Sequence, residues 1–480
     1  MRLPLPLLAL SAAALLGGCA TRPPEAMALH AWTQVGPDNH LSVRAIVQIG
    51  TPCPTAQVDG AAQALSVRAA DTPAPAAEGN PAFQPAFAVQ SCELDLANHP
   101  RRIVLSGRDL PVAATAHRRV AVVGDTGCRI KVPAKGKGDP IQDCTDPRAW
   151  PWARIARAAA ARLPDLVIHV GDYHYREYCD DPARCQAVKA AGVVIDYGWR
   201  GWEADFFAPA APLLQAAPWV FARGNHENCD RAGEGWQRFL APRAYRACPN
   251  QIYKGASRSL PRNNLTENGY RVDLDAETSL FVADSAGSED YRLAADTTAD
   301  TGVLAAALAG LNDMPAGRRV WLLSHKPLWF DLLAARLQPN AWQAASRRAL
   351  TGQVDLTIAG HEHAFQTLNF NPAADPGYAG GRPAQLIVGG GGTQLESQDP
   401  ASPLYEGDTG PGSRERARPG ERLYEGIPAT DGIVLNRFSF LMLEKEQDGW
   451  HGTVFDPDGS PITRCRLVAG AKRFDCAFPR

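Results

Sequence analysis

The amino-acid sequence predicts an α/β fold with a parallel-stranded core, preceded by a small all-β module of fibronectin or immunoglobulin type. From Arg119 onward, apolar runs of strand length alternate with segments of helical spacing, the pattern of a parallel sheet with crossover helices. Those runs are apolar throughout, as strands buried on both faces are. Each also stops at a short polar cluster, at the carboxyl edge where open α/β sheets put their ligands.

The 480 residues leave room for one large domain and a smaller one. A net charge of -2 with no dominant basic block lacks the electrostatic footprint of a nucleic-acid binder. At the N-terminus, Arg2 precedes an apolar stretch from Leu3 to Leu16, then Gly17-Gly18-Cys19. Residues 1–18 are too short and wrongly flanked for a spanning helix and read as a secretory signal. The ending resembles a bacterial lipoprotein signal, which implies a lipidated Cys19 as the new first residue. Ala20, rather than Asp, follows it, which in such lipoproteins points to the outer membrane of the cell envelope, facing the periplasm or exterior. An ordinary cleaved signal with a chance cysteine is the alternative. No later segment is apolar enough to cross a bilayer, so the membrane is reached through the lipid alone.

Of eleven cysteines, setting Cys19 aside leaves an even number in close sequence neighbours. These are Cys53 with Cys92, Cys128 with Cys144, Cys179 with Cys185, Cys229 with Cys248, and Cys465 with Cys476. Such a set suits disulfides in an oxidising compartment, although spacing alone does not fix connectivity. A zinc-thiolate site fits less well, because the sequence holds no Cys-x-x-Cys pair.

In order, residues 19–30 read as a tether. Residues 31–115 carry short alternating runs such as Leu41 to Val47 and Arg102 to Leu105, broken by Pro, Gly and Asp, the signature of a small β-sandwich. No chemistry is visible there; its expected role is to hold a catalytic part off the membrane. The catalytic domain is expected over 118–467. Val120 to Val123 forms a strand ending at Gly124-Asp125-Thr126-Gly127. A helix follows from Pro151 to Leu163, with Ile155, Ala159 and Leu163 on one stripe. The next strand ends at Gly171-Asp172-Tyr173-His174-Tyr175. A helix around Trp202 to Leu214 leads to a strand from Pro218 and then Gly224-Asn225-His226-Glu227. Later strands end at His325, at Gly360-His361-Glu362-His363, and in Gly389 to Gly392. Residues 396–430, rich in Pro, Gly and charge, read as a long loop insertion. Strands from Ile433 to Leu467 are expected to complete the second sheet, and Cys465 with Cys476 to staple the tail at 468–480.

Each cluster alone has an ordinary explanation. Asp125-Thr126-Gly127 could be a turn or the triplet of an aspartic protease, with Asp284-Ser285-Ala286 as an altered second copy. Gly224-Asn225 is a common turn pair, and His325, His361 and His363 could be satisfied structural histidines. Five clusters in this order, each at a strand end, call for a common chemistry. Two-metal hydrolysis uses them all. Asp125, Asp172, Tyr175, Asn225, His325, His361 and His363 suffice for two cations about 3.5–4 Å apart if one carboxylate is shared. Imidazoles suit iron, zinc and manganese. A phenol titrates near pH 10 when free, so Tyr175 binding as phenolate asks for an ion as acidic as Fe(III).

These blocks resemble the calcineurin-like metallophosphoesterase superfamily and, within it, the purple acid phosphatases. Many superfamily members carry a His two residues after the first Asp; Gly127 stands there instead, and Tyr175 is present, which marks the purple branch. The resemblance implies a four-layer α/β/β/α sandwich. Asp125, Asp172, Tyr175 and His363 would hold Fe(III), and Asp172, Asn225, His325 and His361 a divalent Zn, Fe or Mn, with Asp172 bridging. His226 would face the phosphate and protonate the leaving oxygen, and Gly389 to Gly392 would close the rim. Plant-type members carry further histidines soon after the His325 block. Here Lys326 to Leu333 has none; Lys326 or Arg129 could meet the phosphate instead, with an exposed surface role as the alternative for both. The implied activity is hydrolysis of a small phosphorylated substrate, a monoester first, through a metal-activated hydroxide. A phosphodiesterase with the same site and a non-catalytic surface-anchored binding protein are the alternatives.

Overall fold

The computed structural model describes residues 27–71, 86–97, 99–130, 141–177, 182–248, 265–288, 297–329, 340–371, 378, 380–395, 414–416, 423–424, 427–468 and 470–477. Its centre is two large sheets packed face to face. In the first, Arg119–Val123, Leu166–His169 and Trp219–Phe221 run parallel. In the second, Thr278–Val282, Arg319–Leu323, Val354–Ala359 and Ala384–Val388 run parallel, Phe365–Phe370 lies antiparallel to the last of them, and Ile427–Leu435 lies antiparallel to Phe365–Phe370.

Successive side chains of a strand point to opposite faces, so these strands must be apolar on both to sit between layers. Val120, Val122, Ile168 and Val220 join Leu280, Trp321, Ile358 and Leu386 in one core between the sheets. Their neighbours Ala121, Val123, Val167 and Trp219 pack outward on Ile155, Ala159, Phe206 and Leu213 of the covering helices. On the far side, Phe281, Val320 and Leu322 pack on Leu304, Leu308, Trp342 and Ala345. The layers therefore run helix, sheet, sheet, helix. The first covering helix is Trp152–Ala160 and buries Trp152, Ile155, Ala156 and Ala159, a stripe at helical period. Leu163, expected on that stripe, lies past the helix end with φ 52 and is 64% exposed.

Between His30 and Leu110 the described elements are strands and one short 3-10 turn at Pro37–Asn39, and four of the strands extend the first sheet. His30–Val35 pairs parallel with Trp219–Phe221, and Leu41–Gln48, Val89–Leu96 and Ser66–Ala69 follow outward. Val43, Ala56 and Ile103 belong to the same core cluster as Val120, so apolar packing runs through the expected boundary near 115. The C-terminal strands depart from expectation too. Only Ile427–Leu435 joins the second sheet; Phe440–Glu446 pairs with Arg119–Val123, and Gly449–Phe455, Pro461–Val468 and Arg473–Cys476 continue the first sheet. Within the expected loop at 396–430, Arg414–Arg416 and Leu423–Tyr424 pair with Ile427–Leu435 as short strands.

Disulfides link Cys53 to Cys92, Cys128 to Cys144, Cys229 to Cys248 and Cys465 to Cys476. Cys19, Cys179 and the side chain of Cys185 lie outside the described residues. Among the described residues, no helix is long and apolar enough to cross a membrane.

Candidate metal centre

Five strands end level at one edge of the packed sheets, and the turns after them carry every predicted site residue of the core. His169 pairs with both Val123 and Phe221, and Leu323 with Ile358. Asp125, the Asp172–Tyr175 turn, Asn225 with His226, His325, and His361 with His363 therefore leave their strands at nearly one height. Three turns are strained: Asp125, Asp172 and His361 have φ of 55, 58 and 74, a left-handed region that costs an L residue about 1–2 kcal/mol. Surrounding hydrogen bonds hold them there. Asp125 N–H donates to Gly171 O at 3.0 Å, and His361 N–H donates to both Asp125 carboxylate oxygens at 3.1 Å. The glycines of these blocks follow from crowding. A Cβ on Gly224 would sit 2.1 Å from Asp172 Oδ1, and one on Gly171, itself at φ 106, 2.5 Å from His325 Nδ1.

Proton positions decide what the cluster can bind. His325 Nδ1 lies 2.9 Å from Val170 O, and His363 Nδ1 lies 2.8 Å from Gln394 O. Each carbonyl fixes the proton on Nδ1 and leaves Nε2 a lone pair aimed inward. His325 Nε2 then meets Asn225 Oδ1 at 2.9 Å and Asp172 Oδ2 at 3.2 Å. His361 Nδ1 stands 2.9 Å from Asn225 Oδ1 and 3.3 Å from His325 Nε2. On the other side, Tyr175 Oη lies 2.8 Å from Asp172 Oδ2, 3.3 Å from Asp125 Oδ1 and 3.0 Å from His363 Nε2. One phenol proton cannot serve three acceptors. Lone pairs thus face lone pairs on both sides of Asp172, which fits cations there. Asp172, His325 and His361 present ligand atoms within 4.8 Å of one another.

The electrostatics agree. Burial, then the Asp172 charge, holds the Asp125 carboxyl well above the usual range. Burial also pushes Asp172 upward, but His325 and then His226 overcome it and hold Asp172 well below. Burial followed by Asp172 and Asp125 raises the Tyr175 phenol, and burial followed by Arg129 lowers His363 to about 3. Two carboxylates and a phenol, all buried, with the Nε2 lone pairs of His325 and His363 aimed among them, favour positive charge at their centre.

Several supporting residues carry roles that the motifs do not announce. The Glu227 carboxylate, fully buried, accepts from the backbone N–H of Asp172, Tyr173, His174 and Gly224 at 3.0–3.2 Å. Asp205 accepts from Cys128, Tyr175 and Arg176 N–H and pairs with the Arg176 guanidinium. His226 donates its N–H to Asp172 Oδ1 at 3.0 Å, and its ring lies 3.8 Å from the Tyr175 ring, centroid to centroid. Its Nδ1 is 2.8 Å from Glu177 Oε1, and Arg231 Nη2 lies 2.7 and 2.8 Å from its two ring nitrogens. Burial, then Arg231, lowers His226 to about 4, against Glu177. Glu227 stands inside a motif that could have flagged it; Asp205, Glu177, Arg231 and Gln142 carry no local signal. The Gly389–Gly392 turn does reach the centre, since Gly391 N–H donates to Gly124 O at 3.0 Å and Thr393 N–H to Asp125 O at 2.8 Å. Lys326 corrects one expectation: it is 5% exposed and its ammonium donates to Ser288 O, so it is not a surface group.

A protein-family model described as calcineurin-like phosphoesterase matches residues 118–365, just over half of the chain. Among solved structures, a purple acid phosphatase from yellow lupin (Lupinus luteus) seeds matches at TM-score 0.53 and 13% identity, over 91% of this chain and 73% of that one. A structure of PhoD matches at TM-score 0.43 and 11% identity, over 89% of this chain and 92% of that one. A dimetal phosphatase from Danio rerio matches at TM-score 0.30 and 13% identity, over 70% and 95%. The lupin likeness is one of fold. No curated protein matches the chain in sequence.

Proposed function

The chain belongs to the calcineurin-like phosphoesterase family, whose chemistry is metal-dependent ester hydrolysis, and from that premise we propose that it is a dinuclear phosphatase acting on phosphate monoesters. The observation that carries this is the meeting of acceptors around Asp172, with the Nδ1 protons of His325 and His363 given to backbone carbonyls. The family implies divalent metal ions. Asp172, Asn225, His325 and His361 would hold one of them, zinc, iron or manganese. Asp125, Asp172, Tyr175 and His363 would hold a second ion, for which Fe(III) is the reading: a phenol kept protonated by burial and two carboxylates yields only to a strongly acidic cation. Bound there, the pair would supply a hydroxide at neutral pH and neutralise charge on the phosphoryl group. The protein's own groups do the rest. Asp172 is placed to be shared, with Tyr175 and His226 N–H on its two oxygens. Glu177 and Arg231 fix the His226 ring over Tyr175, where it can hand a proton to a leaving oxygen. A substrate dianion beside it would raise its lowered pKa toward neutrality.

The test is metal content, a visible spectrum and an aryl phosphate assay on protein beginning after Cys19. Two metals per chain, one of them iron, with a purple band and turnover, is the expected result. Tyr175→Phe should bleach the band while the fold, measured by circular dichroism, survives. Turnover with two metals and no colour would remove Fe(III) from the reading; a folded chain that takes up no metal would remove the hydrolase. Lipidation of Cys19 is a separate proposal, resting on the N-terminal sequence. The mass of the mature N-terminal peptide should show a diacylglyceryl cysteine, and an unmodified thiol there would rule out the anchor.

A further inference from the structure

We propose that Arg129 grips the non-bridging oxygens of a terminal phosphate and so sets a preference for monoesters over diesters, a proposal that rests on the phosphoesterase reading. The Gly127–Arg129 segment lies directly on the Tyr175 turn. A Cβ on Gly127 would come within 2.8 Å of Tyr173 O and Tyr175 N and 2.9 Å of Tyr175 Cδ2, so the chain at Arg129 starts two residues from that contact. Its root is held on every side. Arg129 N–H donates to Gln142 Oε1 at 2.8 Å, and Arg129 O accepts from Gln142 N–H at 3.1 Å. Cys128 is bridged to Cys144, and Thr393 Oγ1 donates to Gly127 O at 2.7 Å.

Gln142, itself 7% exposed, is the key of this clamp. Its amide donates to Ala149 O and Gly392 O at 2.7 Å, and its Oε1 also accepts from Gln394 N–H at 3.1 Å. Gln394 O in turn holds His363 Nδ1. The clamp thus ties Arg129 to the Tyr175 and His363 side of the cluster. Its charge acts on both of those residues, which places the guanidinium within electrostatic reach of that side, and Arg129 remains half-buried rather than sealed in.

A guanidinium offers parallel N–H donors that match two oxygens of one phosphate. A monoester dianion presents them with full charge. A diester has lost one oxygen to a carbon substituent and half the charge, so it gains less from the same group. Lys326, the other cation that the sequence puts beside the strand ends, is turned to Ser288 O.

The experiment uses the metal-loaded chain beginning after Cys19, with Arg129→Ala and Arg129→Lys variants. It reads kcat and KM for an aryl phosphate and a bis-aryl phosphate, inorganic phosphate affinity by calorimetry, and metal content. With Arg129→Ala, monoester KM and the phosphate dissociation constant should rise about ten- to a hundredfold, the size of a lost charge-assisted contact. Diester KM should move by no more than about twofold, metals should stay bound, and Arg129→Lys should recover part of the loss. Unchanged phosphate affinity and monoester KM would overturn the proposal, as would equal losses for both esters or loss of metal. A wild-type chain that turns over neither ester, yet binds phosphate less tightly after Arg129→Ala, defeats the phosphoesterase reading and leaves the phosphate contact standing.

Discussion

Asp172→Asn should lower kcat/KM at least about a thousandfold, the scale of several kcal/mol of lost charge stabilisation at a metal-assisted transition state, and should lower metal content in step. Asp172 lies between the two halves of the cluster: its Oδ2 is 2.8 Å from Tyr175 Oη and 3.2 Å from His325 Nε2. Asparagine removes the negative charge and puts an N–H donor where a shared ligand atom should be. The fold should tolerate it. The amide oxygen can still accept from His226 N–H, and the amide nitrogen can donate to the lone pair of His325 Nε2. The melting temperature of chelator-treated protein should therefore change little, by about 1 kcal/mol of stability at most. That contrast separates a lost ligand from a damaged structure. Normal turnover with two metals retained would sink the shared-carboxylate assignment, and equal loss of stability with and without metal would make Asp172 a structural residue.

The centre is legible in the sequence because of how buried parallel strands are written. A strand covered on both faces reads as an unbroken apolar run, so the first polar residue after Val123, Val170 or Ala359 marks the sheet edge, and the candidate ligands lie within a few residues of it. The helix, sheet, sheet, helix layering is what the family resemblance implies, and the runs by themselves say only that each sheet is covered on both faces. What lay beyond reach was set by distant contacts. Whether His30–Val35 begins a separate sandwich or extends the Trp219–Phe221 strand depends on which sheet edge is open, and alternation within a strand carries no record of that. The same ambiguity sent Phe440–Glu446 to the first sheet instead of the second. Gln142 reaches Gly392 across 250 residues, and Asp205 serves Cys128, 77 residues away; neither has a neighbour in sequence that predicts its role. Leu163 has the right spacing for the helix stripe, but the helix ends at Ala160, before spacing matters.

Glu227→Ala should be the most destabilising single change near the site. One carboxylate, fully buried, takes four backbone N–H groups that form the turn presenting Asp172 and the first turn after Gly224. Each buried donor left without a partner costs about 1–3 kcal/mol, reduced where water can enter, so a loss of about 3–5 kcal/mol is expected. Metal binding should fall too, because Asp172 at φ 58 stays in its strained turn only while those donors are held. Glu227→Gln should be milder. It keeps one acceptor oxygen and removes a charge that burial and then Asp172 oppose, which is why the Glu227 carboxyl is pushed well above its ordinary range. Denaturant unfolding of the three metal-free chains gives the ranking directly: wild type highest, Glu227→Gln below it because its amide nitrogen leaves two of the four N–H groups without an acceptor, and Glu227→Ala lowest. If Glu227→Ala matches wild type in both stability and metal content, the turn is held by something other than this carboxylate, and the strain at Asp172 must be borne by the Gly171 and Thr126 backbone contacts alone.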